Sequence, residues 1–131
     1  MKNTFAENIV DFLTLYDPFK TVAYGDLLEI ASQSEIIYLE KSKRLFKIND
    51  ELHQNFYIVY SGIIHLTKII DAQETLISKC YVGSIFGLRP FFAKNNYSLN
   101  SIANEDAVVY AIPIVLFKPL LAKYAAVMDY F

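Results

Sequence analysis

Gly83-Ser84-Ile85-Phe86-Gly87-Leu88-Arg89-Pro90, closed by Tyr97-Ser98, decides how the rest of the chain is read. Two glycines four residues apart stand between a strand-like run and a Pro-initiated turn, an arrangement that lets backbone amides approach an anion closely. Upstream, the chain reads as helices and then strands leading to this stretch. Downstream, it reads as strands and a helix leading away.

The N-terminal side begins with Phe5, Ile9, Phe12, Leu13 and Tyr16 at spacings of three and four, which predicts an amphipathic helix over 4–16. Thr4 and Glu7 form a capping-box pair, and Asp17-Pro18 ends the run. A connector from Phe19 to Gly25 precedes a second helix from Asp26 to about Ser34. The pattern then changes. Ile36 to Leu39 and Leu45 to Ile48 read as strands joined by a turn, and Phe56-Tyr57-Ile58-Val59-Tyr60 as a strand that Ser61-Gly62 turns tightly into Ile63 to Ile69 as a hairpin. Asp71-Ala72 turns the chain into Thr75 to Tyr81, where apolar alternation is loose.

Beyond the glycine stretch, Leu99 to Ala103 and Ala107 to Ile112 predict two strands separated by Asn104-Glu105-Asp106. A helix over Pro113 to Tyr124 follows, with Pro119 inside it. Helices, about eight short strands and a last helix predict a mainly β fold, an antiparallel barrel or jelly roll flanked by N- and C-terminal helices. Residues 1–34 carry the N-terminal helices, 35–112 the β-roll with the segment 83–98, and 113–131 the C-terminal helix. The final Val127-Met128-Asp129-Tyr130-Phe131 is an apolar stub, which suggests a natural chain that continues.

The chain of 131 residues is one domain by length, and a hydrophobic fraction of 54% supports one well-packed core. A net charge of −2 argues against direct nucleic-acid binding, which needs a basic face to neutralise phosphates. Lys41, Lys43, Arg44 and Lys47 read as a solvated turn and edge strand. The single Cys80 allows no intrachain disulfide and reads as a small buried hydrophobe on a strand. No apolar run approaches the roughly 20 residues of a membrane span, and the N-terminus has no secretory signal, so a cytoplasmic location without membrane contact is expected.

The order of these residues resembles the cyclic nucleotide-binding domain family, the sensor fold of bacterial catabolite activators, protein kinase regulatory subunits and some ion channels. The marks are Phe56-Tyr57-Ile58-Val59-Tyr60-Ser61-Gly62, then Gly83-Ser84-Ile85-Phe86-Gly87, then Ala103-Asn104-Glu105-Asp106-Ala107 before Ile112-Pro113, within about Leu27 to Lys123. Phe-Gly-Leu-Arg-Pro and Tyr110-Ala111-Ile112-Pro113-Ile114 also resemble the N-terminal sensor of bacterial proteins with cystathionine-β-synthase-type modules and a nucleotidyltransferase-like domain.

The resemblance implies a phosphate-binding cassette after Phe86-Gly87. In that family a Glu following the second glycine accepts from the ribose 2′-hydroxyl, and an Arg about ten residues on, followed by Ser or Thr, holds the phosphate. Here Leu88 stands at the Glu position, Tyr97 at the Arg position and Ser98 at the hydroxyl position. Two lost charge-assisted contacts cost about 3–6 kcal/mol, roughly a hundred- to ten-thousand-fold in affinity, so standard cyclic AMP binding is not expected. Gly87 and Ser98 keep the backbone cradle. Arg89 either replaces the lost cation for another anion, or pairs with Glu105, Asp106 or another local carboxylate, or points to solvent. Tyr97 either lines the pocket or fills the vacated space, and Phe91 and Phe92 are expected to face the core.

The implied function is a regulatory sensor, not an enzyme. It takes a cyclic nucleotide or another anionic nucleotide as ligand and controls an output domain further along the same chain, with a homodimer as one assembly. The alternatives are a purely structural or dimerising domain and the sensor half of a transcription regulator. A cupin-type metalloenzyme is remote, because only His53 and His65 are available and they offer no His-x-His pair.

Overall fold

A computed structural model describes residues 4–131. Helices α1 (Thr4–Leu13) and α2 (Tyr24–Ser32) lead into strands β1 (Glu35–Leu39), β2 (Asn55–Ser61), β3 (Ile64–Ile70), β4 (Gln73–Cys80) and β5 (Ile85–Phe86). Helix α3 (Arg89–Ala93) separates these from β6 (Asn100–Ala103) and β7 (Ala107–Pro113), and helices α4 (Ile114–Lys123) and α5 (Ala125–Tyr130) close the chain. The strands form two antiparallel sheets, ordered β1-β7-β2-β5 and β4-β3-β6, not a closed barrel. This is the jelly-roll type of fold flanked by helices that the sequence predicts.

Strand β2 shows why its apolar run is continuous. Phe56 and Ile58 face a cluster with α1, α2, α4 and α5, whereas Tyr57 and Val59 face the cluster between the sheets. Both faces of the strand are covered, so the usual polar alternation disappears. Its partner β7 divides in the same way, with Tyr110 and Ile112 on the helix side and Val109 and Ala111 on the other.

Several expectations need correction. Ser61-Gly62 does not close a hairpin: β2 pairs with β7 and β5, while β3 pairs with β4 and β6, so the turn is a corner between sheets. The true hairpin is β3–β4, where Asp71 and Ala72 both take positive φ between Ile70 and Gln73. Leu45 to Ile48 is not a strand. It runs beside β6, but Ser101 Oγ accepts from the amides of Leu45 and Phe46, and Asn100 Oδ1 from that of Ile48, where a ladder would use carbonyls. The loose alternation of β4 has a physical cause in a bulge: Leu66 pairs with Ser78 and Thr67 with Leu76, leaving Ile77 between them.

Helix boundaries shift too. Thr4 lies inside helix α1 and not ahead of it, and the helix ends at Leu13 in tightened turns through Tyr16. Gly25 lies inside α2, not before it. Arg44 is not merely solvated: it grips Glu74 of β4 at 2.8 Å, and that carboxylate also accepts from Thr67.

The C-terminal helix breaks at Tyr124, whose extended backbone separates α4 from α5. The break is anchored. Tyr124 Oη donates to Asp26 and accepts from the Ala23 amide, and Lys123 Nζ reaches the same carboxylate at 2.8 Å. Lys123 and then Tyr124 hold the Asp26 carboxyl below its ordinary value. A depressed carboxylate contributes stability above its unfolded value of about 4 and loses it as pH falls through the folded one. The gap in thermal midpoint between the native chain and Asp26→Asn is therefore expected to hold from neutral pH to about pH 5 and to close below about pH 4. A gap unchanged down to acid denaturation would show that the carboxylate contributes nothing.

Candidate functional site

The segment after β4 is built by close packing. Gly83 takes φ +90, and a Cβ there would overlap the Tyr16 ring at 2.3 Å. Its amide donates to the Val59 carbonyl at 2.8 Å, and the Ser84 hydroxyl accepts from the Tyr81 amide at 3.1 Å, which fixes the turn on β2. Strand β5 then adds to the edge of β2 through Tyr57 and Ile58. Gly87 takes φ +82 with the Tyr57 ring 3.1 Å from its missing Cβ, and the chain enters the single turn of α3 with Pro90 in its first turn. Lys94, in the left-handed region, ends that turn and sends the chain to Tyr97.

The segment roofs a cavity of about 680 Å³ that all five positions named above border: Gly87, Leu88, Arg89, Tyr97 and Ser98. Their states differ. Leu88, at 2% exposure, packs into the helix-side cluster, so the position at which the family carries a ribose acceptor is here a core residue. Tyr97 is equally buried, its ring lying parallel to Phe46 at 3.9 Å between centroids. Its hydroxyl accepts from the His53 amide at 3.2 Å, and its backbone bonds to Asn49 and Asp50. Tyr97 fills and stitches. Burial raises the pKa of both Tyr97 and Tyr57, which keeps both phenols neutral.

Arg89 and Ser98 are exposed at the cavity. Among the described residues Arg89 has no ion-pair partner: the pairing with Glu105 or Asp106 does not occur, and Asp106 accepts from the Lys41 amide instead. Phe91 is half-buried against the helix-side cluster as expected. Phe92 is not a core residue. It is 43% exposed on the cavity, with the Phe131 ring 6.0 Å away.

Phe131 and Tyr130, at the end of α5, close another part of the wall. They are not a free stub: the apolar Val127-Met128-x-Tyr130-Phe131 run is itself a packing signal. Cys80 also lines the cavity, and burial pushes its thiol up to about 11, so it stays protonated. His53 sits in the ring cluster with its Nδ1 against Tyr57 Oη, and His65 lies half-buried on β3. Among the described residues no group of three or more His, Cys, Asp or Glu side chains is placed to hold a metal ion, and no helix is long and apolar enough to cross a membrane.

A two-sheet roll with a single-turn helix that follows a glycine over its cavity, and with helices at both ends, is the architecture of nucleotide-sensing regulatory domains. Residues 36–124 match the family model described as the cyclic nucleotide-binding domain, and the chain belongs to that family. No curated protein sequence matches the chain. Among solved structures, the sensor domain of the transcriptional regulator DNR from Pseudomonas aeruginosa has a TM-score of 0.85 at 17% identity, with 98% of this chain and 86% of that one covered. The regulatory subunit of a cAMP-independent protein kinase A from Trypanosoma brucei gives 0.83 at 17% identity, covering 97% and 46%. The regulatory domain of Toxoplasma gondii protein kinase A, solved with cAMP, gives 0.79 at 18%, covering 91% and 45%. The chain thus spans about half the length of these kinase regulatory proteins, and at such identities the likeness concerns the fold.

Proposed function

We propose that this domain is a regulatory sensor whose cassette has lost the cyclic-nucleotide anchors and binds another small anion through Arg89. The observation that carries this reading is the pairing of an unpartnered, exposed Arg89 with a cavity whose two anchor positions hold the buried Leu88 and Tyr97. A guanidinium free of an ion-pair partner offers an anion charge-assisted, bidentate hydrogen bonds. That a structural relative is a cAMP-independent regulatory subunit supports the use of this fold without cAMP.

Occupancy reaches the output through the C-terminal helices. Phe92 of α3 touches Phe131, and Phe131 touches Phe117 of α4, so a ligand that moves α3 also moves α5 against α4. The output domain lies in the same longer chain, in the cytoplasm, with a homodimer as the assembly that presents two such helices. Nothing in this reading requires catalysis.

A thermal-shift panel tests it, with cyclic mononucleotides, cyclic dinucleotides, adenine nucleotides and simple organic and inorganic anions. At a hundred times its dissociation constant a ligand adds about 2.7 kcal/mol, a rise of several degrees for a domain this size. The expected result is no rise with cyclic AMP and a rise with another anion that Arg89→Ala abolishes. A flat panel would make the domain a structural one, and a strong cyclic AMP response would overturn the loss of the anchors.

A further inference from the structure

The chemistry of the cavity wall narrows the ligand class. A pocket built for a sugar and a base presents polar side-chain atoms that wait for hydroxyls and ring nitrogens. Here the wall is mostly hydrocarbon and ring, with Phe46, Leu66, Ile77, Phe86, Leu99 and Phe131 among its members. The buried Tyr97 hydroxyl near it accepts from the His53 amide and has only its proton left to offer, and the Cys80 thiol is neutral. Among the described residues the one buried side-chain nitrogen or oxygen without a partner is Arg44 Nη1, and Arg44 is not part of this wall. The remaining polar lining is the hydroxyls of Ser78, Ser98 and Tyr130, with the Arg89 guanidinium as the single cation.

Hydrocarbon inside and one cation outside define an amphipathic guest. We infer that the cavity takes an organic anion with an apolar body, a medium-chain carboxylate in chemical class, its chain against Phe46, Ile77 and Phe86 and its carboxylate at Arg89. This rests on the reading of the domain as an anion sensor and specifies which anion. The volume, about 680 Å³, lies within the range of small-molecule pockets, roughly 300–1,000 Å³, and leaves room for a medium-length chain. A cyclic nucleotide fits the same volume but meets no carboxylate among the lining residues to accept from its ribose hydroxyls.

Isothermal titration of the whole chain with hexanoate, octanoate and decanoate, each below its micelle concentration, tests the inference. Affinity is expected to rise about fourfold per methylene, saturating at one ligand per chain. Decanol, with the chain but no charge, and Arg89→Gln with decanoate should each bind about tenfold or more weakly. Ile77→Asp, at a bulged and 49% exposed position outside the β3–β4 register, places a carboxylate in the wall and should weaken decanoate at least as much. Affinity independent of chain length, indifference to Arg89→Gln, or uptake of several ligands per chain would each overturn the inference. Binding of inorganic phosphate or a nucleotide with no response to decanoate would overturn it while leaving the anion-sensor reading intact. Silence toward every anion would end both.

Discussion

Gly62→Ala is expected to destabilise the domain by about 3 kcal/mol or more and to lower its thermal midpoint by roughly 10 °C. The backbone at Gly62 has φ +84, where any Cβ costs about 1–2 kcal/mol on its own. The added carbon would also stand 2.6 Å from the Asp106 carbonyl oxygen and 2.8 Å from the Ala107 Cα. These neighbours are backbone and cannot rotate away. They belong to the β6–β7 connection, another place where the chain passes between sheets, and the two corners are joined by the Asn104 amide donating to the Ile63 carbonyl at 3.0 Å. Relief of the overlap therefore moves the sheets apart at that end, away from the Lys41 and Ser42 amides that bond to Asp106 and Ala103. Gly25→Ala is the control: it lies in α2 with open space around its Cβ position and should be neutral or stabilising by up to about 1 kcal/mol. Urea unfolding of both variants decides the matter. A loss at Gly62 of less than about 1 kcal/mol would mean that the corners are not in contact.

That corner also marks how far the sequence is legible. Composition and periodicity locate β2, β3 and β7 because each strand answers to its own pleat, an apolar run with turn residues at its ends. They say nothing of which strands pair. Ser61-Gly62 has the chemistry of a hairpin turn, yet the bulge at Tyr60 and the second corner at 104–106 redirect β3 into the other sheet, and those are long-range contacts. Leu45 to Ile48 fails for a related reason: its amides are satisfied by the side chains of Ser101 and Asn100, which pattern reading treats as ordinary strand positions. The site fares differently. Gly83, Gly87 and Arg89 can be singled out because glycine geometry and an arginine beside it are local signals, whereas Leu88, Tyr97 and Ser98 stand out only through the resemblance to the cyclic nucleotide-binding family. The helix-side burial of Leu88, the exposure of Phe92 and the approach of Phe131 are tertiary, and the break at Tyr124 that sets α5 is anchored by an aspartate 98 residues earlier in the chain.

Tyr97 is where fold and site meet, and Tyr97→Ala is expected to cost about 3–5 kcal/mol. The side chain is among the largest of the fully buried ones, and its removal leaves the Phe46 ring without its stacking partner and the His53 amide without an acceptor. Both belong to the segment between β1 and β2 that lacks a ladder of its own, held to the Tyr97 backbone by Asn49 and Asp50. Tyr97→Phe keeps the ring and loses the acceptor, so a loss of about 1–2 kcal/mol is expected from it. The comparison separates two roles. A tyrosine that anchors a ligand would let Phe fold at full stability and lose binding; a tyrosine that fills the space of a missing arginine would do the reverse. The stacking distance of 3.9 Å and the hydrogen bond the hydroxyl accepts from the His53 amide favour the second. Unfolding midpoints of the two variants, together with decanoate affinity for Tyr97→Phe within about twofold of the native chain, provide the check. If Tyr97→Phe folds as stably as the native chain but no longer binds any anion, the cassette holds its ligand through this hydroxyl and not through Arg89.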